Sequence, residues 1–141
     1  MFKKILLPVD LQESSSWERA LPIAVRMAKD DGAELHVLTV VPPLPGQVYG
    51  YFPEDFEPKM IDQGKAAIEA FAKEHAADSK VVPHIAQGQP YAAINDLAEK
   101  IGADLIVMAS HRPELKDYLL GPNAARVVRH ATCSVMVIRG A

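Results

Sequence analysis

The run best suited to holding a charged ligand is Ser110-His111-Arg112, with Gly121-Pro122-Asn123-Ala124 following it. Hydroxyl, imidazole and guanidinium groups all donate hydrogen bonds, and the planar guanidinium matches phosphate or carboxylate oxygens two at a time. Gly121-Pro122 reads as a helix start, with glycine near the cap and proline at the first helical position. The N–H groups of that first turn, on Asn123 and Ala124 among others, have no partner within the helix, and the positive end of the helix dipole reinforces them. Phosphate is the natural occupant of such a site. The plainer alternative is that His111 and Arg112 are solvated loop residues and Gly121 an ordinary cap.

Other phosphate and metal chemistries fail on spacing. Gly64-Lys65 suggests a Walker loop, but Lys59 stands where its first glycine belongs and Ala66 where its hydroxyl belongs. No Gly-x-Gly-x-x-Gly follows the first strand. His36, His75, His84, His111 and His130 show neither paired cysteines nor a His-Glu-x-x-His spacing, so no metal site is expected. His36 and His84 fall in predicted strands, where satisfied packing is the simpler role. Cys133 is the only cysteine; a small buried apolar side chain and a reducing cytoplasmic home are expected of it.

These residues need elements to position them. Lys4 to Val9 is a continuous apolar run, as a strand covered on both faces reads. Ser14 to Ser16 offer N-cap hydroxyls, and Trp17, Ala20, Leu21, Ala24, Val25 and Ala28 recur at helical spacing up to Asp31-Gly32, predicting a helix over about 16–30. Pro22 should kink that helix or restrict it to a late start. Strands follow at Glu34 to Val41, Lys80 to Gln87, Asp104 to Ala109 and Ser134 to Arg139, with helices near 58–76, 90–101 and 122–131. Ala124, Val127, Val128 and Ala131 form the apolar stripe of the last helix. Strictly alternating strands and helices predict an α/β fold: a three-layer, doubly wound, five-stranded parallel sheet of order 3-2-1-4-5.

Such sheets bind ligands beyond the carboxyl ends of their strands, where the strand order reverses, here between the first and fourth strands. Pro8-Val9-Asp10, Thr39-Val40-Val41 and Met108-Ala109-Ser110-His111-Arg112 end the strands facing that crevice. Pro42 to Glu57, with four prolines, two glycines and no helical or strand period, is out of scale as a connection and reads as a lid, a partner contact or plain disorder.

The bulk numbers fit one globular domain spanning 1–141. Of its 141 residues, 49% are hydrophobic and 23% charged, and the net charge of -3 gives no general attraction to nucleic acid or anionic lipid. After Lys3-Lys4 the apolar run ends within three positions, too short for a signal or membrane segment, so no membrane association is expected.

From Lys3-Lys4-Ile5-Leu6-Leu7-Pro8-Val9-Asp10 to Cys133-Ser134-Val135-Met136-Val137-Ile138-Arg139 the chain resembles the universal stress protein family. Ala109-Ser110-His111-Arg112-Pro113 and Tyr118-Leu119-Leu120-Gly121-Pro122-Asn123-Ala124-Ala125-Arg126 are similar to its F-type branch of small members, and Gly88-Gln89-Pro90 is also a family habit. The resemblance implies a flavodoxin-like, Rossmann-like domain of the adenine nucleotide alpha hydrolase type, acting in the stress response, usually as a homodimer and with ATP in some members. Carried over by position, Pro8, Val9, Asp10 and Val40 would line the adenosine end, Met108 and Ala109 the ribose, and Ser110, His111, Arg112, Gly121, Pro122, Asn123 and Ala124 the phosphates.

The family pattern for ATP binders is Gly, two residues, Gly, nine residues, Gly, then Ser or Thr. Here Ala109 and Arg112 stand at the first two glycines, eight residues separate Arg112 from Gly121, and Pro122 replaces the hydroxyl. Arg112 exchanges close backbone approach for positive charge, and losing the hydroxyl contact costs roughly 1–3 kcal/mol of binding.

Three functions are expected in this order. The first is a module binding ATP or AMP, with Mg2+ as a companion, whose occupancy alters dimer or partner contacts. The second is a nucleotide-free interaction protein, and the third a slow ATPase in which Asp10 holds a metal or orients water; no catalytic constellation is evident. Ser134 to Ile138 carries no charge to deter pairing, so the strand Ser134 to Arg139 is the expected homodimer edge, with a tetramer as a further assembly. A response regulator would need an acidic pair near Asp10 and an aspartate in place of Gln87-Gly88, and a flavodoxin a glycine-bearing loop in place of Leu11 to Ser16.

Overall fold

Lys4–Pro8 forms β1, Glu34–Val41 β2, Val81–Gln87 β3, Leu105–Ala109 β4 and Ser134–Ile138 β5 in the computed structural model, which describes residues 1–41, 43–44, 46–75, 80–110 and 122–139. The helices are α1 Ala20–Asp31, α2 Phe56–His75, α3 Pro90–Ile101 and α4 Pro122–His130. Every strand pair is parallel and the order is β3-β2-β1-β4-β5, the doubly wound arrangement the alternating pattern predicts.

Side chains alternate across the sheet, so each apolar strand serves two cores. Ile5, Leu7, Leu35, Val37, Leu105 and Val107 pack beneath α1 and α2, which contribute Ala24, Ala28, Ile68 and Phe71. Leu6, Leu38, Ile106 and Met108 face α3 and α4, which contribute Ile94, Ala98, Ala124 and Val127. Leu6, Ile106 and Val127 are fully buried, each stabilising the fold by roughly 1.5–3 kcal/mol through loss of apolar contact with water. Cys133 is half-buried against the second core, and burial first, then the Asp104 carboxylate, pushes its thiol pKa up, as befits a packed rather than reactive sulfur.

The opposite end of the sheet is pinned by carboxylates. Asp104 accepts the backbone N–H groups of Lys3 and Lys4 at 2.9 and 3.0 Å, tying β1 to the start of β4. Asp31 accepts that of Phe2 at 2.8 Å, fixing the chain start to the end of α1. Gly32 and Gly102 end α1 and α3 at φ 65 and φ 72, the left-handed cap that favours glycine.

Four expectations change. The α1 helix starts at Ala20, not near residue 16, with Arg19 at its cap and no side-chain cap bond; Ser14–Ser16 form a separate 3-10 turn. Pro22, third in the helix, enforces this late start, because a proline is tolerated only where its missing N–H is not needed. The 42–57 connection is not without period: Gly46–Tyr51 is a 3-10 helix and α2 already begins at Phe56. Finally, Val128 is 46% exposed, so the buried stripe of α4 is carried by Ala124 and Val127.

Candidate functional site

Backbone parity along β1 explains where a crevice opens. The N–H of Val9 donates to Leu38 O at 2.8 Å and the O of Lys3 accepts from Glu34, so odd-numbered residues address β2. Lys4 O accepts from Asp104 N–H at 3.0 Å, so even-numbered residues address β4. Residue 8 therefore turns its nitrogen toward β4, and residue 8 is a proline with no proton to give. The register follows this defect. β1 meets β2 through Pro8↔Leu38, but meets β4 only at Ile5↔Leu105 and Leu6↔Ile106. β4 meanwhile stays paired with β5 through Ala109↔Ile138, and Ser110 N–H continues to Ile138 O at 3.0 Å. The inner strands thus lose their ladder at the switch point while their outer partners hold them.

The loop leaving β1 is locked by its own polar groups. Asp10 N–H donates to Ser16 Oγ at 2.8 Å and Ser16 Oγ returns a bond to Asp10 O at 3.1 Å. Asp10 Oδ1 accepts the Gln12 N–H at 2.9 Å, an Asx turn, and Asp10 O also accepts from Glu13 N–H at 3.0 Å. Asp10 is exposed with one carboxylate oxygen committed to this turn. The hydroxyls of Ser14–Ser16 expected at a helix cap thus include one, Ser16, that instead fixes the rim of the crevice.

Pro8, Val9 and Asp10 end β1 or follow it, Val40 sits one residue before the end of β2, and Met108, Ala109 and Ser110 close β4, all at the carboxyl edge. Val9, Met108 and Ser110 are buried and Val40 and Ala109 half-buried. Pro122, Asn123 and Ala124 form the first turn of α4, exposed, half-buried and buried in turn. In a parallel crossover the helix runs back against the strands, so the start of α4 lies at the same edge as the end of β4; Ala124 and Met108 share one core cluster. His111, Arg112 and Gly121 lie outside the described residues. Thr39, named with Val40 and Val41 at the end of β2 but not among the ligand-lining residues, is 7% exposed there.

Among the described residues no group of three or more His, Cys, Asp or Glu side chains could hold a metal ion, and no helix is long and apolar enough to cross a membrane. What the described residues bring to this edge is the ends of β1 and β4, unpaired beyond Leu6↔Ile106, and the first turn of α4, whose free N–H groups and dipole favour an anion.

Comparison with known proteins agrees with this fold. The model of the Universal stress protein family matches residues 1–139. Universal stress protein G of Escherichia coli O157:H7 is 33% identical, covering 99% of this chain and all of its own length. The solved structure of universal stress protein UspA from Lactobacillus plantarum has a TM-score of 0.73 at 26% identity, covering 97% of both chains. Two more distant solved structures share the fold: a universal stress protein in complex with cAMP, TM-score 0.69 at 21% identity over 97% of this chain and 96% of that one, and one from Archaeoglobus fulgidus in complex with dAMP, TM-score 0.65 at 20% over 98% of both. With the family model spanning nearly the whole chain, the fold matching at both levels and the strand ends arranged as described, the chain belongs to the universal stress protein family.

Proposed function

We propose that the crevice between β1 and β4 binds an adenine nucleotide, ATP or AMP, and that occupancy tunes how the protein meets its partners in a stress response. The opening of the β1–β4 ladder at Pro8 carries the reading, since it makes room for a planar base among backbone groups at the point where α4 begins. Two family members solved with cAMP and dAMP support the choice of adenine. Pro8, Val9, Asp10 and Val40 hold the adenosine end; Met108 and Ala109 the ribose; Ser110, His111, Arg112 and the Gly121 to Ala124 turn the phosphates. Mg2+ enters with the phosphates, because the exposed Asp10 supplies one free-facing carboxylate at most and magnesium is ordinarily held by one or two carboxylates plus phosphate oxygens. The protein works in the cytoplasm as a homodimer built on β5, which is an edge strand and bears no charged residue between Ser134 and Ile138.

Calorimetric titration with ATP, ADP and AMP tests the nucleotide, together with mass spectrometry of anything released from the purified protein. Binding in the micromolar range is expected, weakened in Arg112→Ala by roughly 1–3 kcal/mol. No heat at millimolar ligand and no released nucleotide would overturn the reading. Light scattering tests the assembly, and a monomer at micromolar concentration contradicts the β5 dimer.

A further inference from the structure

Away from the crevice, β2 and β3 bring three titratable side chains into line. His36 is 6% exposed; its Nε2 lies 3.0 Å from Glu34 Oε1 and its Nδ1 2.8 Å from His84 Nε2. The register His36↔Val82 and Leu38↔His84 sets the two histidines as diagonal neighbours on one face of the sheet. Their ring planes differ by 18° with centroids 5.0 Å apart. Rings stacked at van der Waals separation, about 3.5 Å, could not bring two nitrogens to 2.8 Å. The imidazoles therefore lie edge to edge, joined by an in-plane N–H···N bond.

Proton positions follow from what each group can do. A carboxylate only accepts, so His36 Nε2–H donates to Glu34. In a neutral ring Nδ1 is then the acceptor, and His84 Nε2–H donates to it. The chain accommodates one added proton, because a single imidazolium still leaves one donor and one acceptor between the rings. A second proton sets two N–H groups head to head and two cations side by side, and the link is lost. A metal is a poorer bridge: zinc holds each nitrogen at about 2.0–2.1 Å in tetrahedral geometry, which spreads the pair beyond 2.8 Å, and Glu34 addresses the other nitrogen of His36.

We propose that Glu34, His36 and His84 form an acid-operated latch that fastens the edge strand β3 to β2 and releases it when both rings are protonated. β3 is the outermost strand, paired on one side only, and Val82 is 37% exposed on it. The lysines around the chain favour release in acid, while the Glu34 carboxylate opposes it. Lys4 from β1 and Lys80 at the start of β3 face Glu34, and Lys100 from α3 faces His84. On the opposite face α2 covers the sheet with Ile68, Phe71 and Ala72, which carry no charge. Burial first, then the charge of His36 and that of Lys100, hold the His84 pKa below the ordinary imidazole value. The unfolded chain therefore takes up this proton near pH ~6.5 while the folded one resists it, and stability falls as pH drops below that value.

The test compares the wild type with His84→Gln, whose amide N–H still donates to His36 Nδ1 but does not titrate. Urea unfolding is measured between pH 8 and 5, with backbone hydrogen exchange followed at residues 81–87 and in β1. In the wild type the unfolding constant should rise, relative to the variant, by up to about tenfold for each pH unit below ~6.5. The β3 amides should lose protection before those of β1. Superimposable pH profiles for the two proteins, or β1 and β3 opening together, would overturn the latch. A nitrogen-detected titration of the wild-type imidazoles decides independently of whether the variant folds: coupled steps with one displaced to acid support it, and two independent titrations at the ordinary value refute it.

Discussion

Replacing Pro8 with valine puts the explanation of the crevice at risk. The parity of β1 turns the nitrogen of residue 8 toward β4, and the register Leu6↔Ile106 would continue to a rung there if a proton were present. Valine returns that proton and favours strand geometry. The new rung should stabilise the fold by about 0.5–1.5 kcal/mol. Losing the proline frees the unfolded chain and costs about 0.4–1 kcal/mol. The two nearly cancel, so stability should change by under about 1 kcal/mol, and a large loss would itself signal a different problem. Binding should not be so indifferent. A nucleotide entering between β1 and β4 must first break the rung, so its affinity falls by the same 0.5–1.5 kcal/mol, roughly two- to tenfold. Hydrogen exchange at the new amide of position 8, with and without ATP, reads the rung, and calorimetry reads the affinity. An amide that exchanges as fast as an open loop, combined with unchanged affinity, would show that the missing proton is not what opens the strands.

Three more expectations concern the scaffold. Asn95 on α3 is half-buried, but its amide N and O are both buried without a hydrogen-bond partner among the described residues, so Asn95→Leu should stabilise by about 1–3 kcal/mol. An unchanged or lower denaturation midpoint would mean that the amide is satisfied. Gly88, which ends β3 at φ 137 with its N–H on Val41 O at 3.1 Å, should not accept a side chain: Gly88→Ala should cost roughly 1–3 kcal/mol in urea unfolding, and a neutral result would refute the strain. The Asp31 pKa is lowered chiefly by the Phe2 backbone N–H it accepts. Its contribution is present above the ordinary aspartate value, near ~3.9, and lost as pH falls through the folded value, so Asp31→Asn should flatten the acid limb of the stability profile. A variant as acid-sensitive as the wild type would remove Asp31 from that role.

The placement of the candidate site's strand and helix ends was legible because it depends on rules of chain direction. Alternating strands and helices forced a parallel sheet, and a parallel sheet places the ends of β1 and β4 and the start of α4 at one edge. Local polar chemistry was harder to assign. Ser16 looked like a helix cap because hydroxyls before an apolar stripe usually cap, but Pro22 delayed α1 and left Ser16 to close a ring with Asp10. Val128 fits the helical stripe by spacing, yet the buried face of α4 runs through Ala124 and Val127 and leaves its side chain half in water. The 3-10 helix at Gly46–Tyr51 has too short a repeat, and too many breakers around it, to register as periodicity.

By itself the sequence determined which residues are apolar on which stride, where glycines and prolines stop an element, and hence the order of strands and which strand ends share an edge. Those are properties of neighbours along the chain. Only the tertiary structure decided what happens between residues distant in sequence. Pro8 is an ordinary strand-ending proline until backbone parity shows that its missing proton faces β4 rather than β2. His36 and His84 are two packed histidines, 48 positions apart, until the β2–β3 register sets their nitrogens 2.8 Å apart. Both results turn on register, and register is set by the packing of a whole sheet against its helices, which no single stretch of sequence contains.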